Sequence, residues 1–389
     1  MQQNPFMGIL FLKKNKGTKM KKTRILMVIG STNMGGAQIF ILNLLKNMDL
    51  ERYQIDFAVN FKEVEGGIGQ ELRNMGCNIY TLPYFKVYNY SIFKKCWKEF
   101  LTDHKYDIVH GHSSNSASVY LKVAKEMGCV TIAHSHSAGF RGNLIHRLMK
   151  RYFASKIRKV ADYWFACSSI AAEHLYGKGY KDYSQYYDIP NGINAEKYLY
   201  DVNVSNKIRK SLGVSDTDFL CGHVGSFTAP KNHIFLLDIF KEVLKKKSNA
   251  KLICCGSGKL LPQIKERAKE LGIIDNIIFP GIVKNCNEYM MAMDVLIFPS
   301  LFEGFPMTII EAEATGLPIV MSDVITTEVD ITNCVHRLSL NDPPELWADN
   351  IINLKSGDRS TYNCIVEDSK YNMKTGAEFI MSLYEGMLK

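Results

Sequence analysis

The sequence contains no apolar run of about 20 residues, the length that an α-helix needs to cross a bilayer. Its ten cysteines are scattered and form no C-x-x-C pair, which argues against both a zinc site and a disulfide framework. We also find no internal repeat, no low-complexity tract and no signature of an RNA- or DNA-binding module. These absences predict a cytoplasmic protein with reduced thiols that does not bind nucleic acid.

Residues 1–22 lack the order of features that defines a secretory signal peptide. The apolar stretch from Phe6 to Leu12 is short and precedes the lysines, whereas a signal peptide carries its positive charge first. We interpret residues 1–22 as a disordered extension, with Met20 as a plausible natural first residue. The alternative interpretation is a tail that touches a membrane.

The chain is basic, with 48 Lys and Arg against 39 Asp and Glu, which gives a formal net charge of +9. This excess suits a phosphorylated ligand or an anionic membrane surface. Residues 141–160 contain seven basic side chains, no acidic ones, and apolar residues at helical spacing. The pattern predicts an amphipathic helix, which is either an ordinary surface helix or a peripheral contact with anionic lipid headgroups.

The 389 residues exceed the roughly 250–300 that one core usually supports, so two domains are expected. Apolar runs typical of buried parallel strands alternate with helical stretches over residues 23–190 and again over residues 191–370. The predicted fold class is α/β, with two tandem Rossmann-like, doubly wound parallel-sheet domains that face each other across a cleft. Residues 371–389 are predicted to form a C-terminal helix that crosses back to the first domain.

Eleven strands are predicted, and the ligand sites should follow them. The strands lie at residues 24–29, 54–59, 78–82, 108–110, 130–134 and 163–167 in the first domain, and at 219–224, 251–255, 277–279, 295–298 and 318–321 in the second. Sheets of this type bind ligands at the carboxyl ends of their strands. The residues that directly follow each strand are therefore the candidates for a functional site.

One candidate follows the strand predicted at 295–298. Glu303 and Gly304 lie in a loop, Pro306 suits the first turn of a helix, and Glu311 lies just over one turn inside that helix. A helix N-terminus favours a phosphate, and carboxylates accept strong hydrogen bonds from sugar and ribose hydroxyls. The alternative is that both glutamates are ordinary solvated residues at a helix start.

A second candidate is the loop of small residues that ends at Lys231, which is well placed to meet a diphosphate. A lysine at the start of a helix is unfavourable for the helix dipole, so this position favours a functional role over that of a surface lysine. Gly256 and Gly258 follow the next strand and form another loop where backbone can approach a ligand.

These segments, in this order, resemble glycosyltransferase family 4, whose members have the two-domain GT-B fold, over nearly the whole chain from residue 24. The resemblance is closest to the subset that makes bacterial capsular, exopolysaccharide or lipopolysaccharide glycans. It rests on Gly35-Gly36-Ala37-Gln38, Ile189 to Asn194, Lys231-Asn232-His233, Pro299-Ser300, the pair Glu303 and Glu311 with seven residues between them, and Gly316-Leu317-Pro318.

The resemblance implies transfer of a sugar from a nucleotide-sugar donor with retention of anomeric configuration, generally without a metal. Glu303 would contact the donor sugar, Lys231 would stabilise the leaving diphosphate, and Glu311 would bind the ribose. The other implied donor-binding residues are Ser226, Gly256, Gly258, Ile282, Gly304, Phe305, Pro306, Met307 and Thr308. Gly35 and Gly36 would form the loop that faces the phosphates and the acceptor.

Histidines end two predicted strands of the first domain, His110 and His112 on one, His134 and His136 on the next. The family commonly has a histidine near the acceptor and the donor sugar, which we match to His134, with His136 as the other candidate. The alternative is a polar strand end with buried, hydrogen-bonded histidines. No acidic or cysteine residue accompanies the four at ligand spacing, so we predict neither a metal nor another cofactor.

Two positions depart from the family pattern. Arginine usually stands where this chain has Ser226, and Ser257 stands where an acidic residue is frequent. A serine offers a neutral hydrogen bond where a cation is expected beside Lys231. Either another basic residue substitutes for the arginine, or donor affinity and rate are reduced.

The leading prediction is a retaining hexosyl- or N-acetylhexosaminyltransferase that acts on a lipid-linked or polysaccharide acceptor in bacterial cell-surface glycan synthesis. It would work in the cytoplasm, at the inner face of the membrane, beside other glycan-assembly enzymes. The alternatives are a sugar-nucleotide epimerase of the same fold and a catalytically weak, glycan-binding partner subunit. A nicotinamide dehydrogenase is disfavoured because residues 30–36 do not read G-x-G-x-x-G and Asn60 stands where an acidic residue is expected.

Overall fold

The structure is a computed structural model that describes residues 21–33, 35–60, 67–114, 116–136, 151–354 and 357–389. The predicted N-terminal extension lies almost wholly outside the described residues, and so does the first half of the predicted basic helix, residues 141–150. Within the described ranges, no helix combines the length and the apolar character that crossing a bilayer requires.

The described strands form two sheets in which every pairing is parallel. The first contains β1 (Thr23–Val28), β2 (Tyr53–Val59), β3 (Ile79–Thr81), β4 (Ile108–Gly111), β5 (Val130–Ser135), β6 (Tyr163–Ala166) and β7 (Tyr186–Asp188), in the spatial order β3-β2-β1-β4-β5-β6-β7. The second contains β8 (Phe219–Val224), β9 (Ala250–Cys255), β10 (Ile277–Gly281), β11 (Val295–Phe298), β12 (Ile319–Ser322) and β13 (Val335–Leu338), in the order β10-β9-β8-β11-β12-β13. The predicted fold class of two doubly wound parallel sheets is confirmed.

Helices connect the strands and cover both faces of each sheet. They are α1 (Gly36–Asn47), α2 (Gly69–Asn74), α3 (Tyr90–Asp103), α4 (Ala117–Glu126), α5 (Ile157–Val160), α6 (Ser169–Tyr176), α7 (Val202–Ser211), α8 (His233–Lys246), α9 (Leu261–Glu270), α10 (Cys286–Ala292), α11 (Met307–Ala314), α12 (Pro344–Asn353), α13 (Tyr362–Glu367) and α14 (Met373–Met387). Residues 151–155 are also helical. Each sheet has a hydrophobic cluster on either face, which makes four core clusters for the two domains.

Two strands, β7 and β13, were not predicted because they lack the apolar run that marks a buried strand. Each lies at an edge of its sheet and is only partly buried, and each includes polar residues. The central strands show the opposite pattern. Ile25, Leu26 and Met27 of β1 are fully buried, because helices cover this strand on both faces.

The chain passes between the domains at two adjacent segments. The backbone N–H of Ile193 donates to the carbonyl of Tyr371 at 2.8 Å, and the N–H of Met373 donates to the carbonyl of Ile193 at 2.8 Å. A Cβ at Gly192 would lie 2.9 Å from the backbone nitrogen of Met373. Gly192 is therefore needed for the two crossing segments to lie side by side.

The last helix, α14, packs on the first sheet although it follows the second domain in sequence. Ala377, Ile380 and Tyr384 belong to the same core cluster as Phe40 of α1. This contact leaves the first domain dependent on residues from the end of the chain for one face of its core.

Arg359 joins three parts of the second domain through its guanidinium group. It donates to the carbonyls of Met290, Met291 and Met293 at 3.0, 3.1 and 2.8 Å, and to that of Thr315 at 3.0 Å. Burial lowers the pKa of Arg359 to about 10, so the group stays charged at neutral pH. It therefore supplies donors to carbonyls at the C-terminal end of α10, where that of Met290 also accepts from the backbone N–H of Met293 at 3.3 Å.

We predict that Arg359→Met lowers the free energy of unfolding by about 2–4 kcal/mol, because several carbonyls lose their donor at once. Urea denaturation followed by circular dichroism measures the change. Arg73→Met is the matched control, since Arg73 is an exposed helix residue, and its effect should stay within about 0.5 kcal/mol. Equal effects of the two substitutions would contradict the role assigned to Arg359.

Candidate functional site

A cavity of about 890 Å³ lies between the two domains at the carboxyl ends of their strands. Residues 191–198 of the chain crossing form part of its wall. The predicted residues that line it are Gly35, Gly36, Ser226, Lys231, Glu303, Phe305, Pro306, Met307, Thr308 and Glu311. The structure thus brings together residues that are separated by almost 280 positions in the sequence.

Lys231 and Glu303 form an ion pair in the wall of this cavity. The Lys231 Nζ lies 2.7 Å from Glu303 Oε1, and each side chain is 15% exposed. The same Nζ lies 4.4 Å from the ring centroid of Phe298 at the end of β11. Asn232, which follows the lysine, adopts a left-handed φ of 54°, a conformation that asparagine tolerates better than most residues. One cation and one carboxylate are therefore fixed side by side where the loops after β8 and β11 meet.

Glu311 lies in the same wall, one helical turn inside α11. Burial raises the pKa of its carboxyl group to about 7, and a hydrogen bond from the Tyr198 hydroxyl partly opposes that rise. Burial and the nearby Glu311 also raise the pKa of Tyr198, which therefore remains a donor. Near neutral pH the Glu311 carboxyl group exists in both protonation states.

The start of α11 offers backbone donors to the cavity. Pro306 is the N-cap residue and Met307 begins the helix, so the proline lies just before the first turn rather than inside it. The N–H groups of a first helical turn have no acceptor within the helix, and the dipole there is positive. Pro306, Met307 and Thr308 all line the cavity. This end of the helix is suited to bind a phosphate.

Gly256 and Gly258 have a different role from the predicted contact with a ligand. A Cβ at Gly256, where φ is +143°, would lie 2.0 Å from the carbonyl oxygen of Gly225. A Cβ at Gly258 would lie 2.5 Å from the carbonyl oxygen of Phe227. Both glycines let one loop pack against the loop that carries Ser226, and neither is in the cavity lining. Four further candidates also lie outside that lining: Gly304, the largely exposed Ile282, His134 and His136.

The four histidines at the ends of β4 and β5 form one stacked cluster. His110 Nε2 lies 3.2 Å from His134 Nδ1, and His112 Nδ1 lies 2.8 Å from His136 Nε2. Burial lowers the pKa of all four, to about 3 for His110 and about 4 for His136. The imidazoles are therefore neutral at physiological pH.

Tyr384 of the C-terminal helix fixes the tautomers in half of this cluster. Its hydroxyl lies 2.7 Å from His110 Nδ1, and a buried tyrosine hydroxyl is expected to donate its proton. His110 then carries its proton on Nε2 and donates to His134 Nδ1. His134 is thereby the tautomer with its proton on Nε2.

His134 lies behind the cavity wall rather than in it. Its side chain is 1% exposed, and the ring of Phe40, which lines the cavity, packs edge-on against it with centroids 5.2 Å apart. In this conformation Phe40 lies between His134 and the cavity. The histidine is placed to influence the wall, and a direct contact with a ligand is not part of this arrangement.

Three of these histidines, His110, His112 and His134, each place one ring nitrogen within 4.8 Å of the other two, a separation that could suggest a metal site. Tetrahedral zinc with bonds of about 2.0–2.1 Å needs nitrogens roughly 3.3 Å apart whose lone pairs converge. Here the His110 and His134 rings are 10° from parallel, and two of their nitrogens face each other at hydrogen-bond distance. The geometry favours hydrogen-bonded pairs of neutral imidazoles.

Sequence reasoning missed several cavity residues in the crossing segment. Asn191, Lys197 and Tyr198 line the cavity, and Tyr198 bonds to Glu311. The only sequence signal near them was the stretch Ile189 to Asn194, which carries part of the family resemblance but no chemical pattern that assigns a role to these residues. Their role follows from the crossing, which places this segment beside α11.

Two family models match successive halves of the chain. Residues 34–197 match the model described as Glycosyltransferase Family 4, and residues 218–356 match the model described as Glycosyl transferases group 1. The first match contains Gly35, Gly36 and the histidine cluster. The second contains Lys231, Glu303 and Glu311.

Two of the curated relatives match most of the chain, and a third matches a little more than half of it. The putative glycosyltransferase EpsF of Bacillus subtilis is 28% identical over 349 residues, which cover 88% of this chain and 91% of EpsF. The capsular polysaccharide biosynthesis glycosyltransferase CapH of Staphylococcus aureus is 25% identical over 349 residues, with coverage of 86% and 91%. A UDP-Gal:alpha-D-GlcNAc-diphosphoundecaprenol alpha-1,3-galactosyltransferase of Escherichia coli is 25% identical over 244 residues, with coverage of 60% and 61%.

Among solved structures, Anabaena Alr3699/HepE in complex with UDP matches with a TM-score of 0.77 at 16% sequence identity. The match covers 94% of this chain and 100% of that one, so the likeness extends to both domains. Since the two family models cover both halves and the two-domain architecture is shared throughout, the protein belongs to glycosyltransferase family 4 and has the GT-B fold.

Proposed function

We propose that this protein is a retaining glycosyltransferase that transfers a sugar from a nucleotide-sugar donor to a lipid-linked or polysaccharide acceptor in bacterial cell-surface glycan synthesis. The observation that carries the proposal is the Lys231–Glu303 pair, which shares one interdomain cavity with Glu311 and the start of α11. CapH is a capsular polysaccharide biosynthesis glycosyltransferase, and the E. coli relative is a galactosyltransferase for alpha-D-GlcNAc-diphosphoundecaprenol, which supports the proposed class of acceptor.

The groups in the cavity suit the parts of a nucleotide sugar. The N-terminus of α11 and Lys231 offer positive charge to the diphosphate, and Glu311 accepts hydrogen bonds from the ribose hydroxyls. Glu303, beside Lys231, accepts hydrogen bonds from the sugar. A lysine and helix N–H groups can stabilise a departing diphosphate without a metal, so we propose that none is required.

In the proposed reaction the bond between the anomeric carbon and the diphosphate oxygen breaks, and the acceptor hydroxyl oxygen forms a bond to the same carbon. Retention means that the new bond forms on the face from which the diphosphate departs. The departing phosphate oxygen then lies beside the incoming hydroxyl and accepts its proton. Lys231 and the α11 N–H groups stabilise the charge that develops on the diphosphate.

The cavity walls carry a balanced set of charges. Lys197 and Lys231 are its two basic side chains among the described residues, and Glu303 and Glu311 are its two acidic ones. Ser226 is exposed in the same wall and contributes no charge. Lys197 is the residue available to supply the second cation that the family usually draws from arginine at position 226.

We predict that Lys231→Ala lowers kcat/KM for sugar transfer by about 100-fold or more, the loss typical for removal of one charge-stabilising group. Thermal shift with a panel of nucleotide sugars first identifies the donor, since a ligand at 100 times its Kd stabilises the fold by roughly 2.7 kcal/mol. Product NMR then reports the anomeric configuration. Lys251→Ala is the matched control, because Lys251 is ion-paired to Asp218 at 3.0 Å and does not line the cavity.

Four results would count against the proposed function. Absence of a thermal shift with every nucleotide sugar would contradict donor binding. Equal losses of kcat/KM in the two lysine variants would contradict the role of Lys231. An inverted product would contradict retention. Turnover of the donor alone, without release of the nucleotide, would identify an epimerase instead.

We predict that donor affinity rises between pH 6 and pH 8, because the Glu311 pKa of about 7 makes its carboxylate the minor form at the lower pH. Isothermal titration calorimetry measures this, and Glu311→Gln should bind more weakly with a flatter pH profile. The stability effect has the opposite sign. A folded-state pKa above the ordinary glutamate value of 4.5 stabilises the fold at low pH, and this contribution is lost as the pH rises through 7. An unchanged pH profile in Glu311→Gln would contradict the assignment.

We predict that Ser226→Arg raises donor affinity by about 3- to 10-fold, as expected for one added, partly screened cation near a diphosphate. Calorimetry at two salt concentrations measures the gain, which should shrink at high salt. Thr228→Arg is the matched control, because Thr228 is a neighbouring exposed residue that does not line the cavity. Equal gains in both variants would show only a general charge effect.

A further inference from the structure

Exposed aromatic and aliphatic side chains gather on one side of the first domain. Tyr88 is 83% exposed, Ile92 is 64% exposed and Tyr152 is 58% exposed. Three further large side chains near them, Tyr84, Val87 and Tyr90, are also exposed. We name these six residues the aromatic patch. Soluble surfaces seldom gather so many large apolar side chains, so the patch calls for a partner.

Ring contacts join the two chain segments of the patch into one surface. Phe85, which is half-buried, lies 5.1 Å from Phe153 and 6.5 Å from Tyr90 between ring centroids. Phe153 lies 5.5 Å from Tyr152. The loop after β3 and the helical residues 151–155 are therefore packed together through Phe85.

The loop is held in a defined shape at its tip. The Asn89 side chain accepts a hydrogen bond from the Lys86 N–H at 2.8 Å and donates one to the Tyr84 carbonyl at 2.9 Å. These bonds close the short 3₁₀ turn Val87–Asn89, in which Tyr88 projects outward. The apolar side chains of the tip are thus presented by an ordered turn.

The patch is surrounded by positive charge. Residues 83–98 contain four lysines and no acidic residue, and residues 151–161 contain four basic residues and no acidic one. Lys156 Nζ lies 2.6 Å from the Tyr152 hydroxyl. Two acids in neighbouring helices are ion-paired with lysines of this region, Glu126 with Lys94 and Glu99 with Lys95. Tyrosines flanked by lysines match the headgroup layer of an anionic membrane.

The described half of the basic segment 141–160 supplies charge rather than an apolar face. Ala154 and Ile157 are buried in the core of the first domain, and Phe153 and Val160 pack against that core. For residues 151–160 the stripe of the predicted amphipathic helix therefore faces inward, as in an ordinary surface helix. Among the described residues, the apolar contact with lipid would come from Tyr152 and from the neighbouring loop, which no sequence pattern indicated.

We propose that the aromatic patch docks on an anionic bilayer, with its rings at headgroup depth and the surrounding lysines on lipid phosphates. The loop follows β3, and carboxyl ends of parallel strands share one edge of a sheet, so the patch lies on the same edge as the cavity-lining Gly35 and Gly36. This docking deepens the proposed function, because it would hold the acceptor side of the cavity against the surface where a lipid-linked acceptor resides.

Vesicle flotation of the full chain tests the proposal, with phosphatidylcholine vesicles and with vesicles that also contain phosphatidylglycerol. The wild type should float with the anionic vesicles, less so at high salt, and the double variant Tyr88→Ser/Ile92→Ser should bind about tenfold more weakly because its buried apolar area is lost. A second double variant, Lys86→Glu/Lys98→Glu, should also bind the anionic vesicles more weakly than the wild type, and most clearly at low salt. Val202→Ser is the matched control, since Val202 is 54% exposed on the second domain.

The donor-induced thermal shift of each variant shows that it is folded, and it also separates this inference from the proposed function. Lack of binding to anionic vesicles, or wild-type binding by Tyr88→Ser/Ile92→Ser, would overturn the inference while leaving donor binding intact. Self-association that this variant alone loses, without vesicle binding, would assign the patch to a second copy of the chain and also overturn it. Loss of donor binding in the wild type would instead refute the proposed function and leave vesicle binding unaffected.

Discussion

Parallel pairing of every described strand is the constraint on which the site depends. It brings the carboxyl ends of all strands of a sheet to one edge. Loops that are distant in sequence therefore meet at that edge, and no specific contact between the loops is needed to bring them together. Two such edges face each other, and the residues after β8 and β11 meet as the Lys231–Glu303 pair. The same geometry places the loop after β3 on the edge that carries Gly35 and Gly36.

Charge balance then determines what the cavity can hold. A lysine and a glutamate 2.7 Å apart neutralise each other in the cavity wall, and the Glu311 carboxyl group carries a proton about half of the time near pH 7. A diphosphate would therefore enter a cavity of low net charge. In the proposed complex Lys231 would be shared between the diphosphate and Glu303, so that no buried charge would be left without a partner.

Sequence patterns were sufficient for the fold because the central strands are continuous apolar runs between loops of small residues. They failed for β7 and β13, where burial is partial and polar residues interrupt the run. For the site, the order of segments was enough to select Lys231, Glu303 and Glu311 as cavity residues. Spacing along the chain gives no direction for a side chain, which is why the ion pair could not be predicted.

Contacts that depend on three-dimensional packing account for the other differences. Gly256 leaves room for the carbonyl oxygen of Gly225, and no local sequence pattern predicts that contact. His134 lies behind Phe40 because α1 covers the end of β5. Tyr198 reaches Glu311 only because the chain crosses between the domains beside α11. Each of these positions is set by an element that lies far away in sequence.

The position of α14 has a consequence for how the chain folds during synthesis. Its residues Ala377, Ile380 and Tyr384 complete a core cluster that begins with Ile25 of β1. The first domain is translated first, yet α1 and α2 cover this face of its sheet only in part until α14 has also been synthesised. The second domain, whose strands and helices are contiguous, can complete its core earlier. The order of maturation thus runs opposite to the order of translation, and the hydrogen bond from Tyr384 to His110 is among the last contacts to form.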